Sequence, residues 1–190
     1  MQMLKDAILE RGKALNQDIL LVDSFLNHQV DVALMKAVGE TFAEHFANQG
    51  ITRVVTIESS GIAPASFTAL ALGLPLVIMK KQTSRILNGD LLQTTVRSFT
   101  KGTEYQLSVK HEFLNADDNI LLIDDFLASG EAAFGVITLA KQAGAKISGV
   151  GIVIEKAFQS GQKRLEDAGI DVYSLARIAS MSADRIEFVD

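Results

Sequence analysis

Asn119-Ile120-Leu121-Leu122-Ile123-Asp124-Asp125-Phe126-Leu127-Ala128-Ser129-Gly130-Glu131-Ala132 sets a four-residue apolar run directly before two adjacent carboxylates and a small-residue loop. Ile120 to Ile123 read as a strand buried on both faces, as in a parallel sheet, which puts Asp124 and Asp125 at its carboxyl end. Ligands of open α/β sheets bind at that end. Ala128-Ser129-Gly130 carries little side-chain bulk, so an anion can approach its N–H groups, and a helix opening near Glu131 adds its positive dipole end. A phosphate monoester fits such a loop. Carboxylates repel phosphate but accept hydrogen bonds from hydroxyls, and a vicinal ribose diol supplies two. The stretch reads as a sugar-phosphate site, with ribose 5-phosphate as its natural ligand.

Two other readings of an apolar strand ending in acids fail on their partners. A nucleoside-triphosphatase would need Gly-x-x-x-x-Gly-Lys-Ser/Thr to hold the triphosphate, and the chain has none. A dinucleotide fold would need its glycines at a strand-to-helix turn, whereas Ser148-Gly149-Val150-Gly151 lies inside an apolar run. The plainer alternative is that Asp124, Asp125 and Ser129 only cap the following helix, but a cap needs one side chain.

Outward from this stretch, strands and helices alternate. Arg53 to Glu58 reads as a strand, Ile62 to Leu72 as a helix, Leu76 to Lys80 as a strand, Glu131 to Ala143 as a helix and Ile147 to Ile154 as the last strand. Repeated β–α units imply a parallel sheet with helices on its faces. Before them, apolar periodicity predicts a helix over residues 3–15 and another from Asp31 through Phe46, stopped by Gly50. Asp18 to Gln29 reads as irregular with a partly apolar face, on which a flat base could pack. Residues 81–104 are a polar insertion with antiparallel strands expected over Gln93 to Phe99 and Tyr105 to Val109, and insertions of this length are often functional lids.

The chain has 190 residues, 48% of them hydrophobic, enough to bury one core but not two full-size domains. A net charge of −5 offers no basic field for nucleic acid, so no nucleic-acid partner is expected. Without cysteine, disulfides, thiolate metal sites and cysteine nucleophiles are excluded. His28, His45 and His111 lack metal-ligand spacing. No apolar run approaches the ~20 residues of a membrane span, and Met1 to Asp6 lacks an export pattern. No membrane partner and a cytoplasmic location are expected.

Val/Ile-Asp-Asp followed by a glycine-containing loop is the phosphoribosyl-diphosphate fingerprint of the type I phosphoribosyltransferases, and Leu122 to Gly130 resembles it without a gap. Val22-Asp23-Ser24-Phe25-Leu26-Asn27-His28-Gln29, Thr56-Ile57-Glu58-Ser59-Ser60-Gly61-Ile62-Ala63-Pro64 and Gly151-Ile152-Val153-Ile154-Glu155-Lys156 are similar to the xanthine-specific bacterial branch, and the similarity runs essentially end to end. The resemblance implies the type I fold: α/β, with a central mainly parallel sheet flanked by helices, a small base-binding hood and a flexible lid. It implies one phosphoribosyltransferase domain over residues 1–190, its hood formed by about 1–30 plus the C-terminal segment and its lid by about 81–104.

The implied reaction is pentosyl transfer from phosphoribosyl diphosphate to N9 of xanthine, giving xanthosine 5′-monophosphate and diphosphate, a purine-salvage step. By that resemblance the 5-phosphate sits on Ala128, Ser129, Gly130, Glu131 and Ala132, and the ribose diol lies against the catalytic pair Asp124 and Asp125. Ser59, Ser60 and Gly61, again small residues opening a helix, would hold diphosphate, with Lys81 neutralising it beside Lys80. A non-proline cis peptide is expected at Ser59–Ser60 or Ser60–Gly61, and either serine could also be a simple helix cap. Lys156 would donate to the 6-oxo group, and Asn27, with the backbone at Leu20, would read the 2-oxo edge. Mg²⁺ would be held mainly by substrate and water, with no protein ligand assigned. A homodimer with composite sites is implied. Ala128 stands where hypoxanthine-guanine relatives often carry an aspartate, so no general base carries over, and xanthine's own acidity could reduce the need for one. Guanine or hypoxanthine as the base, and a phosphoribosyl-diphosphate-sensing regulator, are the alternatives.

Overall fold

The computed structural model describes residues 1–82, 90–98, 102–183 and 185–189. In chain order its elements are α1 (Gln2–Arg11), β1 (Lys13–Ala14), β2 (Leu20–Leu21), a π-helical turn (Asp23–Asn27), α2 (Val32–His45), β3 (Arg53–Ile57), α3 (Ile62–Leu72), β4 (Leu76–Gln82), β5 (Leu91–Ser98), β6 (Thr103–Lys110), β7 (Asn119–Leu127), α4 (Glu131–Ala143), β8 (Lys146–Lys156), α5 (Gly161–Asp167), β9 (Asp171–Ser182) and β10 (Arg185–Phe188). The main sheet runs β10-β9-β8-β7-β3-β4-β6-β5. Strands β4, β3, β7, β8 and β9 are parallel, while β10 and the β5–β6 hairpin join antiparallel.

The doubly buried run Ile120 to Ile123 explains why β7 is central. Ile120 and Leu122 join one core cluster with α4, and Leu121 and Ile123 join the other with α2 and α3. Alternate residues of one strand thus feed both faces. From β3 the chain crosses through α3 to β4 on one side; from β7 it crosses through α4 to β8 on the other. The strand order therefore reverses between β3 and β7, where a crevice opens at the carboxyl ends.

Gly149 and Gly151 serve packing within β8. A Cβ on Gly149 would stand 2.5 Å from Phe46 Cε1, and one on Gly151 2.6 Å from Ile123 Cδ1 and 2.9 Å from the Phe42 ring. Asp31 caps α2 by accepting a hydrogen bond from Leu34 N–H at 3.0 Å.

Helices α3 and α4 have the bounds expected from sequence; other elements differ. Helix α1 ends at Arg11 rather than near 15, because Gly12 turns extended where a Cβ would stand 2.5 Å from the Ile8 carbonyl oxygen, and Leu15 lies exposed. Strand β7 continues through both acids to Leu127, since Phe126 and Leu127 pair with Ile154 and Glu155 of β8. Strand β8 is not the last: α5, β9 and β10 follow. In β9 the buried Leu175, Ala176, Ile178 and Met181 alternate irregularly with polar residues, which hides the strand. The insertion's hairpin is present over β5 and β6. Residues 83–89 and 99–101 of that insertion, including Phe99 at the end of its first expected strand, lie outside the described residues.

Overpacking at the Phe42–Ile123 contact should be costly: Gly151→Ala is expected to lower unfolding free energy by about 1–3 kcal/mol, read as a lower urea midpoint with unchanged slope.

Candidate functional site

The two acids at the end of β7 are each held by the next residue. Asp125 N–H donates to Asp124 Oδ1 at 3.1 Å, and Phe126 N–H donates to Asp125 Oδ1 at 2.9 Å. Asp124 is 9% exposed. Burial raises its carboxyl well above the ordinary value of 3.8, and the neighbouring Asp125 charge raises it further, while Lys81 offsets the rise only in part.

Two loops converge on this pair. One, after β3, carries Glu58, Ser59, Ser60 and Gly61; the other, after β7, carries Ala128, Ser129 and Gly130. Helix α3 starts from Gly61 and α4 from Gly130, and neither has a side-chain cap. The serines and acids therefore do not serve as caps, and both helix starts, Gly61 and Gly130, line the same cleft. Gly130 adopts φ +87°, a conformation that strains any residue with a Cβ. Among the described residues the cis peptide is Glu58–Ser59, one bond before Ser59–Ser60 and two before Ser60–Gly61, the positions expected from sequence.

The cleft measures about 660 Å³ and brings together Asp124, Asp125, Ser59, Ser60, Gly61, Lys81 and the whole of Ala128 to Ala132. Lys81 is set by its own backbone, whose N–H donates to Glu58 Oε1 at 2.6 Å, while its ammonium lies 5.4 Å from the centre of the Tyr105 ring. Lys80 instead pairs with Glu58 Oε2 at 3.3 Å.

Sequence reasoning missed the part of the cleft wall to which the hairpin contributes Val96, Arg97, Thr103 and Tyr105. Burial, then the Asp124 charge, raises the Tyr105 phenol above its ordinary value. The available signal was weak: Val96 and Tyr105 are cross-strand partners, but nothing local says which hairpin face meets the cleft.

The three base-reading candidates are not among the described residues that line this cleft. Lys156, at the end of β8, is 8% exposed; its ammonium donates to the Asp18 carbonyl and lies 5.6 Å from the centre of the Phe126 ring, which does line the cleft. Burial lowers the Lys156 pKa, against the opposing influence of Asp18 and Asp125. Leu20 is buried in β2, paired with Ala14. Asn27 ends the π-helical turn, exposed. Among the described residues no group of three or more metal-ligating side chains forms, and no helix is long and apolar enough to cross a membrane.

An α/β sheet with two uncapped helix termini and an acid pair at its switch point defines the type I phosphoribosyltransferase fold. Solved adenine phosphoribosyltransferases share it. That of Giardia lamblia, complexed with 9-deazaadenine, superposes with TM-score 0.78 at 24% identity, covering 92% of this chain and 97% of that one. That of Saccharomyces cerevisiae gives 0.73 at 24%, with the same coverage. The model of the phosphoribosyl transferase domain matches residues 16–178, and the chain belongs to that family. Curated relatives include "Xanthine phosphoribosyltransferase 1" of Clostridium botulinum (strain Hall), 59% identical over 189 residues and 100% of both chains. The "Xanthine phosphoribosyltransferase" of Clostridium acetobutylicum is 55% identical over 189 residues, again 100% of both. That of Listeria monocytogenes serotype 4b is 52% identical over 190 residues, 100% of this chain and 99% of the other.

A carboxyl raised in the folded state keeps its proton where the unfolded chain has lost it. Its contribution to stability is full below the ordinary value of 3.8 and is lost as pH rises through the raised value. Asp124→Asn, which cannot ionise, should therefore raise the melting temperature of the ligand-free protein at about pH 7.5, with the gain shrinking as pH falls toward about 4.

Proposed function

We propose that this chain transfers the 5-phosphoribosyl group from phosphoribosyl diphosphate to N9 of xanthine, forming xanthosine 5′-monophosphate and diphosphate. The observation that carries the reading is the convergence of Gly61 and Gly130, two helix starts without side-chain caps, on one acid pair. Anions at both ends and hydroxyls between them are what phosphoribosyl diphosphate supplies. The full-length likeness to xanthine phosphoribosyltransferases favours xanthine over guanine or hypoxanthine.

In this reading the N–H groups of Ser129 to Ala132 take the 5-phosphate, with Ala128 closing the loop, and those of Ser59 to Gly61, with the Lys81 ammonium, take the diphosphate. Asp124 and Asp125 accept from the ribose hydroxyls and stabilise positive charge developing at C1. Lys156 donates to the 6-oxo group; Asn27 and the Leu20 backbone read the 2-oxo edge. Adenine would set an amino donor against the ammonium and leave a desolvated cation unpaired. Ala128 offers no base for the N7 proton, which fits reaction of the xanthine anion.

The adjacent carboxyl groups of Asp124 and Asp125, both lining the cleft, supply oxygen donors of the kind a hard cation takes. Mg²⁺ would lie beside Asp124 and Asp125, held through substrate oxygens and water. It would neutralise the diphosphate as it departs.

Residues 1–30 with the C-terminal segment act as the hood and 81–104 as the lid of one domain. The enzyme works in the cytoplasm as a homodimer without nucleic-acid or membrane partners.

Initial rates with xanthine, guanine, hypoxanthine and adenine test the reading. Xanthine should give the highest kcat/KM, and a higher value for guanine would refute the base assignment. Asp125→Asn should cut kcat by ~100-fold with the fold intact by circular dichroism. Lys156→Ala should raise KM for xanthine by ~10-fold while KM for phosphoribosyl diphosphate stays within about twofold.

A further inference from the structure

Helix α5 lies behind the loop assigned to the 5-phosphate and grips it at three points. Gly161 N–H donates to the Ala128 carbonyl at 2.9 Å. Arg164 Nη1 donates both to the Ser129 carbonyl and to Glu131 Oε1. The approach is close: a Cβ at position 161 would stand 2.3 Å from the Ala128 carbonyl oxygen and 2.8 Å from the Leu127 side chain. The Arg164 guanidinium also lies 4.8 Å from the centre of the Phe134 ring, so an aromatic face and two acceptors fix its position.

The two gripped carbonyls decide where two N–H groups point. Glu58–Ser59 is the only cis peptide among the described residues, so the Ala128–Ser129 and Ser129–Gly130 peptides are trans. A planar trans peptide sets its N–H opposite its C=O. Holding both carbonyls toward α5 turns the Ser129 and Gly130 N–H groups away from it, to the cleft side. Among the described residues these N–H groups donate to no protein acceptor.

Glu131 raises a second problem for an anion site. Its carboxylate belongs to the first turn of α4 and the residue lines the cleft, where a free negative charge would repel a phosphate dianion. Arg164 holds that carboxylate in a charge-assisted bond, leaving the loop to present only its N–H groups.

We propose that Arg164 is a positioning residue for phosphate binding, which aims the Ser129–Gly130 peptide into the cleft and neutralises Glu131 so that a phosphate monoester can dock. The proposal deepens the assignment of the 5-phosphate to this loop and rests on it. Calorimetric titration with ribose 5-phosphate separates the two. Failure of the unmodified protein to bind it would overturn the loop assignment, and the proposal with it. Given binding, Arg164→Ala should weaken affinity by ~10-fold, and Arg164→Ala combined with Glu131→Gln should recover at least about threefold of that loss by removing the unneutralised carboxylate. A merely structural arginine would show no such recovery. Affinity of Arg164→Ala within about twofold of the unmodified protein, or no recovery in the double variant, overturns the proposal. Should Arg164→Ala not fold, Arg164→Lys provides the test. It keeps the charge but loses the flat guanidinium face over Phe134 and the fixed donor directions of Nη1, and should bind ~3-fold more weakly; unchanged affinity overturns the proposal.

Discussion

A hydrogen atom is all that fits at position 61. A Cβ there would stand 2.4 Å from Thr56 Oγ1 and 2.9 Å from Asp124 Oδ1, so the loop after β3 is pressed against the first acid of β7. Everything at the site depends on this approach. At this switch point β3 and β7 send their helices to opposite faces of the sheet, and the two helix starts would diverge if their loops could not meet over the strand ends. Because position 61 is glycine, they meet with the acid pair between them.

That closeness also sets the electrostatics. Thr56 Oγ1 is buried with no hydrogen-bond partner among the described residues, and Asp124 is buried beside another carboxylate. A simple polyphosphate would meet favourable N–H groups at either end and two acids in the middle. A sugar with phosphates at both ends matches all three parts. In the proposed reading the acid pair would select against ligands that are anionic throughout, which is why the same strand-end acids need not signal a nucleoside-triphosphatase.

The parts legible in the sequence were those encoded locally. Four apolar residues bounded by acids define β7, and small residues before an apolar periodic segment set the starts of α3 and α4. What stayed hidden depends on contacts across the fold. Arg97 and Tyr105 reach the cleft only because β6 pairs antiparallel with the end of β4, joining Lys80, Lys81 and Gln82 to Ser108, Leu107 and Gln106. β9, next to the edge strand β10, mixes buried Leu175, Ala176, Ile178 and Met181 irregularly with polar residues and lacks the continuous run of a central strand. Arg164 on a seven-residue helix looks like any solvated basic residue until α5 folds against the loop.

The base side shows the same dependence on distant segments. The Lys156 ammonium is anchored by the carbonyl of Asp18, 138 residues away in the chain. The N-terminal segment carrying that carbonyl is itself tied to β9, where the Met1 ammonium donates to the Leu175 carbonyl at 2.6 Å. An ammonium has three donors, so a single carbonyl leaves two for another acceptor. The anchor therefore orients the lysine without saturating it. In the proposed reaction a 6-oxo group would complete the lysine's bonds at little ordering cost, because the packing of the N-terminal segment has already fixed the side chain. An amino group at that position would bring no acceptor to a cation already removed from water, so in that reaction discrimination at the base would follow from burial of the lysine as much as from its charge.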